Sequence, residues 1–294
     1  MRVGDEQRFE RPRLVCIAVT DDSLTDPSGP PDIRVDPFLT MAAGSFLDRS
    51  AAELLDVCAA TDGLRGFGLR LTGEHHLDPD QRVALGETAA ARRLEIFDVE
   101  VLRIGSELGP YISSVEELIE AAAALRARHV LVVGDTKDRD RLRRELAHVV
   151  SVAAEHGIVV GLEYMAWTTP SFVDEARSLA EATGCRLVVD LLHHTRIGAT
   201  ATDLARIVAD GSLGWVQICD AGPPTDQLVH EARHRRRAPG RGVLPLAELL
   251  AVVAPTTPFS IEVQSDELRS VEPGERARLL TSAADAILRN VFSR

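Results

Sequence analysis

The feature that most constrains this chain is a regular alternation of short apolar runs with longer amphipathic segments. The apolar runs have the length of buried β-strands, and the amphipathic segments carry apolar residues at helical spacing. The predicted strands are residues 14–19, 66–71, 95–102, 129–133, 158–164, 186–191, 215–219 and 259–263. The predicted helices are residues 51–61, 79–93, 115–127, 138–155, 171–182, 201–209, 246–253 and 273–291. Strands that are separated by helices pair in parallel, so the pattern predicts an α/β protein.

Eight strand–helix units over roughly 250 residues match the size of a closed (β/α)₈ barrel. We therefore predict a single TIM-barrel domain over residues 1–294. An open doubly wound sheet is the alternative, but it usually carries a glycine-rich phosphate turn after its first strand, and TDDSLTDPSGPPD is not such a turn. The longest irregular stretches, residues 20–50 and 220–243, follow predicted strands and are expected on the catalytic face.

Charge and apolar content limit the partners of this chain. The net charge of −12 argues against a nucleic acid, whose phosphates need a positive footprint. No uninterrupted apolar stretch approaches the ~18 residues of a membrane span, and the first residues lack the apolar core of a signal peptide. Four cysteines without a CxxC pair indicate reduced thiols. We therefore expect a soluble, cytoplasmic protein that binds neither nucleic acid nor membrane.

One local basic cluster interrupts the acidic chain. It consists of Arg233, Arg235, Arg236 and Arg237. Such a cluster is either a solvated loop or a site for a substrate anion, and the sequence leaves both interpretations open.

A single polar residue stands between apolar neighbours near the end of each of the last four predicted strands. These residues are Glu163, Asp190, Gln217 and Glu262. Because side chains alternate along a strand, the apolar neighbours are expected to face the helices and the polar residue the barrel interior. Adjacent strands lie about 4.7–4.9 Å apart, so the four side chains can converge on one point.

Three carboxylates and one amide at one point need a cation, because the negative charges would otherwise repel each other in a low dielectric. Oxygen ligands in this number favour one divalent metal ion, Mn²⁺ or Mg²⁺, with Co²⁺ and Fe²⁺ as alternatives. For any one carboxylate, the alternative is a buried acid that pairs with an arginine or a backbone amide.

Several further side chains are expected around this point. His193, three residues after Asp190, is expected at the rim of the mouth as a hydrogen-bond partner of the substrate. Metal ligation and an ordinary loop histidine are the alternatives. His194 is assigned a structural role. His75, which follows the second strand, and Trp167 are expected to line the pocket, and core packing is the alternative for Trp167.

The motifs GLEYMAW, VVDLLHHTRIG, WVQICDAGPP, HEARHRRRAPGRG and FSIEV resemble the sugar phosphate isomerase/epimerase superfamily, the xylose-isomerase-like TIM barrels. The resemblance implies a divalent metal ion bound by the four strand-end residues Glu163, Asp190, Gln217 and Glu262. It also implies substrate-binding roles for His193, in D-x-x-H, and Arg236, in R-x-x-P-G. The oligomeric state stays open, with a homodimer suggested by the resemblance.

Two positions depart from the family pattern. Gln217 replaces the histidine of ketose epimerases, which is more similar to the hydroxypyruvate isomerase and 3-dehydroshikimate dehydratase branches. Arg241 replaces the usual acid of P-G-E-G, which indicates either an anionic substrate or a salt bridge to a surface acid.

The resemblance implies a divalent-metal-dependent isomerase or epimerase of a small sugar or polyhydroxy carbonyl compound. The reaction would pass through a metal-stabilised cis-enediolate, with Glu163 and Glu262 as the acid/base pair. A metal-dependent dehydratase of the 3-dehydroshikimate or inosose type is the alternative at the same site. An abasic-site endonuclease would need a basic face, and a non-catalytic sugar-binding relative would show a broken set of metal ligands.

Overall fold

The computed structural model describes residues 37–71, 75–106 and 112–293. Its strands are β1 (Leu39–Met41), β2 (Gly66–Arg70), β3 (Glu95–Ile104), β4 (His129–Gly134), β5 (Val159–Glu163), β6 (Arg186–Asp190), β7 (Leu213–Ile218) and β8 (Phe259–Ile261). All neighbours pair in parallel, and β8 pairs with β1 to close the barrel. The predicted (β/α)₈ TIM barrel is confirmed.

Helices follow the strands around the barrel. They are α1 (Ala51–Ala59), α2 (Pro79–Ala91), α3 (Val115–Ala124), α4 (Arg139–Glu155), α5 (Val173–Thr183), α6 (Leu191–Arg196), α7 (Ala201–Ala209), α8 (Leu228–His234), α9 (Leu246–Leu250), α10 (Asp266–Arg269) and α11 (Pro273–Phe292). Side chains that pair with free backbone amides begin several of them, as in the capping box of Asp78 and Gln81 at α2. Among the described residues, no helix is long and apolar enough to cross a membrane.

The position of the first barrel strand was predicted wrongly. Strand β1 lies at Leu39–Met41, inside the stretch predicted to be irregular, and it pairs with both β2 and β8. Residues 14–19, the predicted first strand, lie outside the described residues, and the barrel closes without them. A three-residue strand next to Pro37 has too few alternating positions to produce a recognisable strand pattern.

The second long stretch that was predicted to be irregular, residues 220–243, contains helix α8 and an antiparallel bridge between Asp220 and Arg237. Helix α6 begins directly after β6, and helix α10 follows β8. All three helices are short, so their sequences carry less than two full turns of helical periodicity. They lie at the carboxyl ends of the strands, where TIM barrels carry their active sites.

The barrel interior contains a small apolar cluster that is separate from the main core. Its buried members are Phe97, Leu131, Val133, Met165, Val188 and Trp215. A side chain at Gly161 would place its Cβ atom 2.1 Å from the Trp215 ring, so the indole needs a glycine on the adjacent face. Trp215, Val188 and Gly161 each precede a predicted site residue by two positions, so this cluster forms the layer beneath those residues.

Candidate functional site

The strand-end polar residues face the barrel interior, as the alternation of side chains predicted. Glu163 and Asp190 end β5 and β6, Gln217 lies in β7, and Glu262 follows β8 directly. Their exposed fractions are between 1% and 6%. Three of them, Glu163, Gln217 and Glu262, line a cleft of about 290 Å³, and Asp190 pairs with Gln217 in the sheet register. Their apolar neighbours Leu162, Val189, Val216 and Ile261 belong to the core between strands and helices.

Asp190 is paired with an arginine and with backbone amides. Its Oδ2 accepts a hydrogen bond from Nη1 of Arg236 at 2.5 Å. Its Oδ1 accepts hydrogen bonds from the backbone N–H groups of Leu192 and His193 at 2.8 and 3.1 Å, so Asp190 also caps helix α6. Burial alone would raise the pKa of this carboxyl, but the Arg236 guanidinium holds it below its ordinary value.

Arg236 is buried at the centre of the site, with an exposed fraction of 3%. Besides its bond to Asp190, Nε donates to the carbonyl of Ala232 at 2.8 Å, and Nη2 lies 3.8 Å from Oε2 of Glu262. Nη2 is also 3.3 Å from Nε2 of His193. Arg236 therefore supplies a positive charge to this group of acids, and it also lines the cleft, where a substrate contact stays a prediction.

Glu163 is a buried carboxyl that makes no ion pair with an arginine or lysine among the described residues. Burial, with repulsion from Glu262 and Asp190, raises its pKa well above the ordinary value. Nε2 of His193 lies 3.8 Å from its Oε1. Burial lowers the pKa of His193 to about 4, so its imidazole is neutral at physiological pH and can accept a metal ion or donate to a substrate.

Glu262 is held by a neighbouring amide. Nε2 of Gln264 donates to its Oε1 at 2.9 Å. A Cβ atom on Gly44 would lie 2.6 Å from the same oxygen, so that glycine leaves the space which the carboxylate occupies. Burial raises the pKa of Glu262 to about 7, against the opposing effect of Arg236. One oxygen is thus fixed, and the other is directed toward the guanidinium of Arg236.

Two acids on β3 were missed by the sequence analysis. Glu100 lines the cleft and pairs with Arg70 at 2.7 Å. Asp98 is buried, and burial with repulsion from Glu100 and Glu262 raises its pKa well above the ordinary value. The segment FDVEV contains the same signal of an acid between apolar neighbours that identified Glu163, so the residues could have been found from the sequence.

Three further residues from the sequence analysis have different positions. Trp167 lines the cleft and packs edge-on against His193, with ring centroids 5.0 Å apart. His194 is structural, as predicted, because its Nδ1 accepts from the hydroxyl of Tyr164 and its Nε2 bonds to the carbonyl of Thr200. His75 lies half-buried after β2, outside the described lining of the cleft, and its role stays a prediction.

The donor set fits a divalent cation. One ligand atom from each of Glu163, Asp190 and His193 lies within 4.8 Å of the others. Oε1 of Gln217 is buried without a hydrogen-bond partner among the described residues, although a buried carbonyl oxygen normally has one. Arg236 balances only one of the three carboxylates that converge here. A dication would balance the remaining charge and satisfy the orphaned amide oxygen.

Comparison with known proteins agrees with this architecture. A family described as "Xylose isomerase-like TIM barrel" matches residues 55–287, most of the chain. The chain belongs to the xylose isomerase-like TIM barrel family. No curated protein matches its sequence.

Solved structures share the fold at low identity. A xylose isomerase-like TIM barrel/4-hydroxyphenylpyruvate dioxygenase fusion protein is 18% identical with a TM-score of 0.74; the match covers 87% of this chain and 43% of that one. The IolI protein with a bound zinc atom is 16% identical with a TM-score of 0.72; the match covers 87% of this chain and 100% of that one. An L-ribulose 3-epimerase is 16% identical with a TM-score of 0.63; the match covers 86% of this chain and 95% of that one.

Proposed function

We propose that this protein is a divalent-metal-dependent isomerase or epimerase of a small polyhydroxy carbonyl compound. The observation that carries the proposal is the cluster of Glu163, Asp190 and His193, whose ligand atoms lie within 4.8 Å of one another. Glu262 and Gln217 line the same cleft as Glu163, and the buried amide oxygen of Gln217 has no hydrogen-bond partner among the described residues. The family membership and the fold shared with an L-ribulose 3-epimerase and with zinc-bound IolI support it.

The cation would be held by Glu163, Asp190 and Gln217, with Glu262 or His193 completing the set. Mn²⁺ or Mg²⁺ suits the oxygen ligands, and ligation by His193 would extend the choice to Zn²⁺, Co²⁺ or Fe²⁺. When bound, the ion polarises a carbonyl group and stabilises negative charge that develops on its oxygen.

Glu163 and Glu262 are the candidates for proton transfer. Both carboxyls line the cleft. Oε1 of Glu163 lies 3.8 Å from Nε2 of His193, and Oε2 of Glu262 lies 3.8 Å from Nη2 of Arg236, so both distances exceed that of a hydrogen bond. One glutamate would remove the proton from the carbon next to the carbonyl, and either one would return it, at the same carbon or at its neighbour. His193, Arg236 and Trp167 would orient the substrate.

A dehydratase is the second candidate, because Gln217 stands where ketose epimerases carry a histidine. Its reaction begins with the same proton removal and ends with the loss of a β-hydroxyl group. The charge of the guanidinium at Arg236 would assist such a departure if the hydroxyl lay beside it.

The test is incubation of the Mn²⁺-loaded protein in D₂O with ketoses, inososes, hydroxypyruvate and dehydroshikimate, followed by mass spectrometry. Deuterium incorporation into the recovered substrate or product, without loss of a water molecule, supports the isomerase or epimerase. A product that is lighter by one water supports the dehydratase. Glu163→Gln should abolish exchange, whereas Glu155→Gln, which neutralises an exposed acid at the end of α4, should not. Full turnover by Glu163→Gln would disprove the two-glutamate scheme.

A further inference from the structure

Several arginines line the cleft of an otherwise acidic protein. Besides Arg236, they are Arg70, Arg103, Arg233 and Arg269. The whole chain carries a net charge of −12, so its overall composition does not explain why five arginines line one cleft. Arg103 is half-buried at the end of β3, and Arg233 is exposed on α8, so the two guanidinium groups reach the cleft from different elements.

Among the described residues, two of these arginines form ion pairs with carboxylates, and two do not. Arg70 pairs with Glu100 at 2.7 Å, and Arg269 pairs with Asp266 at 3.4 Å. Arg103 and Arg233 make no ion pair with a carboxylate in the part of the chain that the structure describes. Burial lowers the pKa of Arg103. The negative charge of Asp135 opposes this effect, and the positive charge of Arg233 adds to it, as expected for two guanidinium groups that line the same cleft.

The positive charge is not required by the acids at the strand ends. A dication and Arg236 would together balance the charges of Glu163, Asp190 and Glu262, and Glu100 pairs with Arg70. Asp98 is buried and is not among the residues that line the cleft. Arg103 and Arg233 are therefore not needed to balance the charge of the strand-end acids. Arginine binds planar oxyanions through paired N–H donors, and its hydration is weaker than that of lysine.

We propose that Arg103 and Arg233 form an anion subsite, and that the substrate carries a terminal oxyanion, a carboxylate or a phosphate, at the end opposite its reacting carbonyl. This proposal rests on the proposed function, which places the reacting carbonyl at the metal site. A cleft of about 290 Å³ is at the small end of ligand pockets, so the substrate is a short chain and not an oligosaccharide. Members of the basic cluster in the sequence thus have different roles. Arg236 pairs with the buried acids, and Arg233 would bind the anion of the substrate.

The experiment uses three unreactive probes of the same length: erythritol, erythronate and erythritol 4-phosphate. Calorimetric titration into the full chain is done with saturating Mn²⁺ and again in EDTA, so that binding of an anion through the metal is recognised. The variants are Arg103→Gln and Arg233→Gln. Arg235→Gln is the matched control, because it removes an exposed arginine of the same cluster that does not line the cleft.

An anionic probe should bind at least about tenfold more tightly than erythritol, and each cleft variant should weaken it by about tenfold, with less than twofold change in the control. The tighter of the two anions identifies carboxylate or phosphate as the group. Equal affinity for erythritol, or anion binding that survives both cleft variants, overturns the subsite.

Titration of Mn²⁺ alone into the same proteins separates the two proposals. The cleft variants should retain the Mn²⁺ affinity of the wild type. If the wild type binds an anionic probe through Arg103 and Arg233 but binds no Mn²⁺, the proposed function fails and the subsite stands. If Mn²⁺ binds and the anions do not, the subsite fails and the proposed function stands.

Discussion

Replacement of Arg236 by methionine should destabilise the metal-free protein strongly. Methionine keeps much of the apolar length of the side chain but removes the cation beside Asp190 and Glu262. Loss of one partner from a buried ion pair costs about 3–5 kcal/mol. Asp190 would keep two backbone N–H donors, which reduces the cost, while the carbonyl of Ala232 would lose its donor, which increases it. We expect a loss of about 4 kcal/mol in the free energy of unfolding.

The assay is urea unfolding in EDTA, followed by tryptophan fluorescence. Arg235→Met is the control, because Arg235 is exposed and its replacement should change stability by less than about 0.5 kcal/mol. Addition of Mn²⁺ should stabilise the Arg236→Met protein more than the wild type, because the ion would then be the remaining positive charge at the site. If Arg236→Met stays within about 1 kcal/mol of Arg235→Met, the buried ion pair is not the compensating interaction described above.

Three further substitutions test the barrel around the site. Gly161→Ala should cost about 2–3 kcal/mol in urea unfolding, because its Cβ would collide with the ring of Trp215, and less than half of that in a Trp215→Phe background. Burial lowers the pKa of His129 to about 4. The imidazole therefore stays neutral in the folded protein, whereas in the unfolded chain it takes up a proton below pH ~6.5. Stability should therefore fall by about 2–3 kcal/mol between pH ~6.5 and ~4, and pH-dependent unfolding of His129→Gln should show a correspondingly smaller decline. Tyr164→Phe should cost about 1–2 kcal/mol by leaving Nδ1 of His194 without its donor, and an altered Mn²⁺ affinity would contradict the structural role of that histidine.

Local sequence patterns predicted most of the barrel, because parallel strands and their helices have distinct periodicities. The short elements were missed for the same reason. Strand β1 and helices α6, α8 and α10 are each too short to repeat a pattern, and their formation depends on contacts with the rest of the barrel. Asp190 illustrates this dependence, since its carboxylate caps α6 and orders the segment that carries His193.

The sequence predicted the orientation of the strand-end residues but not how they pair. Alternation along the strands correctly indicated that Glu163, Asp190, Gln217 and Glu262 point inward. The ion pair between Asp190 and Arg236 joins residues 46 positions apart, and no local pattern contains that information. The interpretation of Asp190 as an acid paired with an arginine therefore describes the metal-free protein, and metal ligation remains the proposal.

The most direct test of the central claim is an anomalous diffraction measurement on crystals soaked in Mn²⁺. The proposal predicts one strong anomalous peak at the carboxyl ends of β5 to β8, with Glu163, Asp190 and Gln217 among the ligands, and loss of that peak in crystals of Glu163→Gln. The absence of a peak at this place, or a peak that persists unchanged in Glu163→Gln, would contradict it.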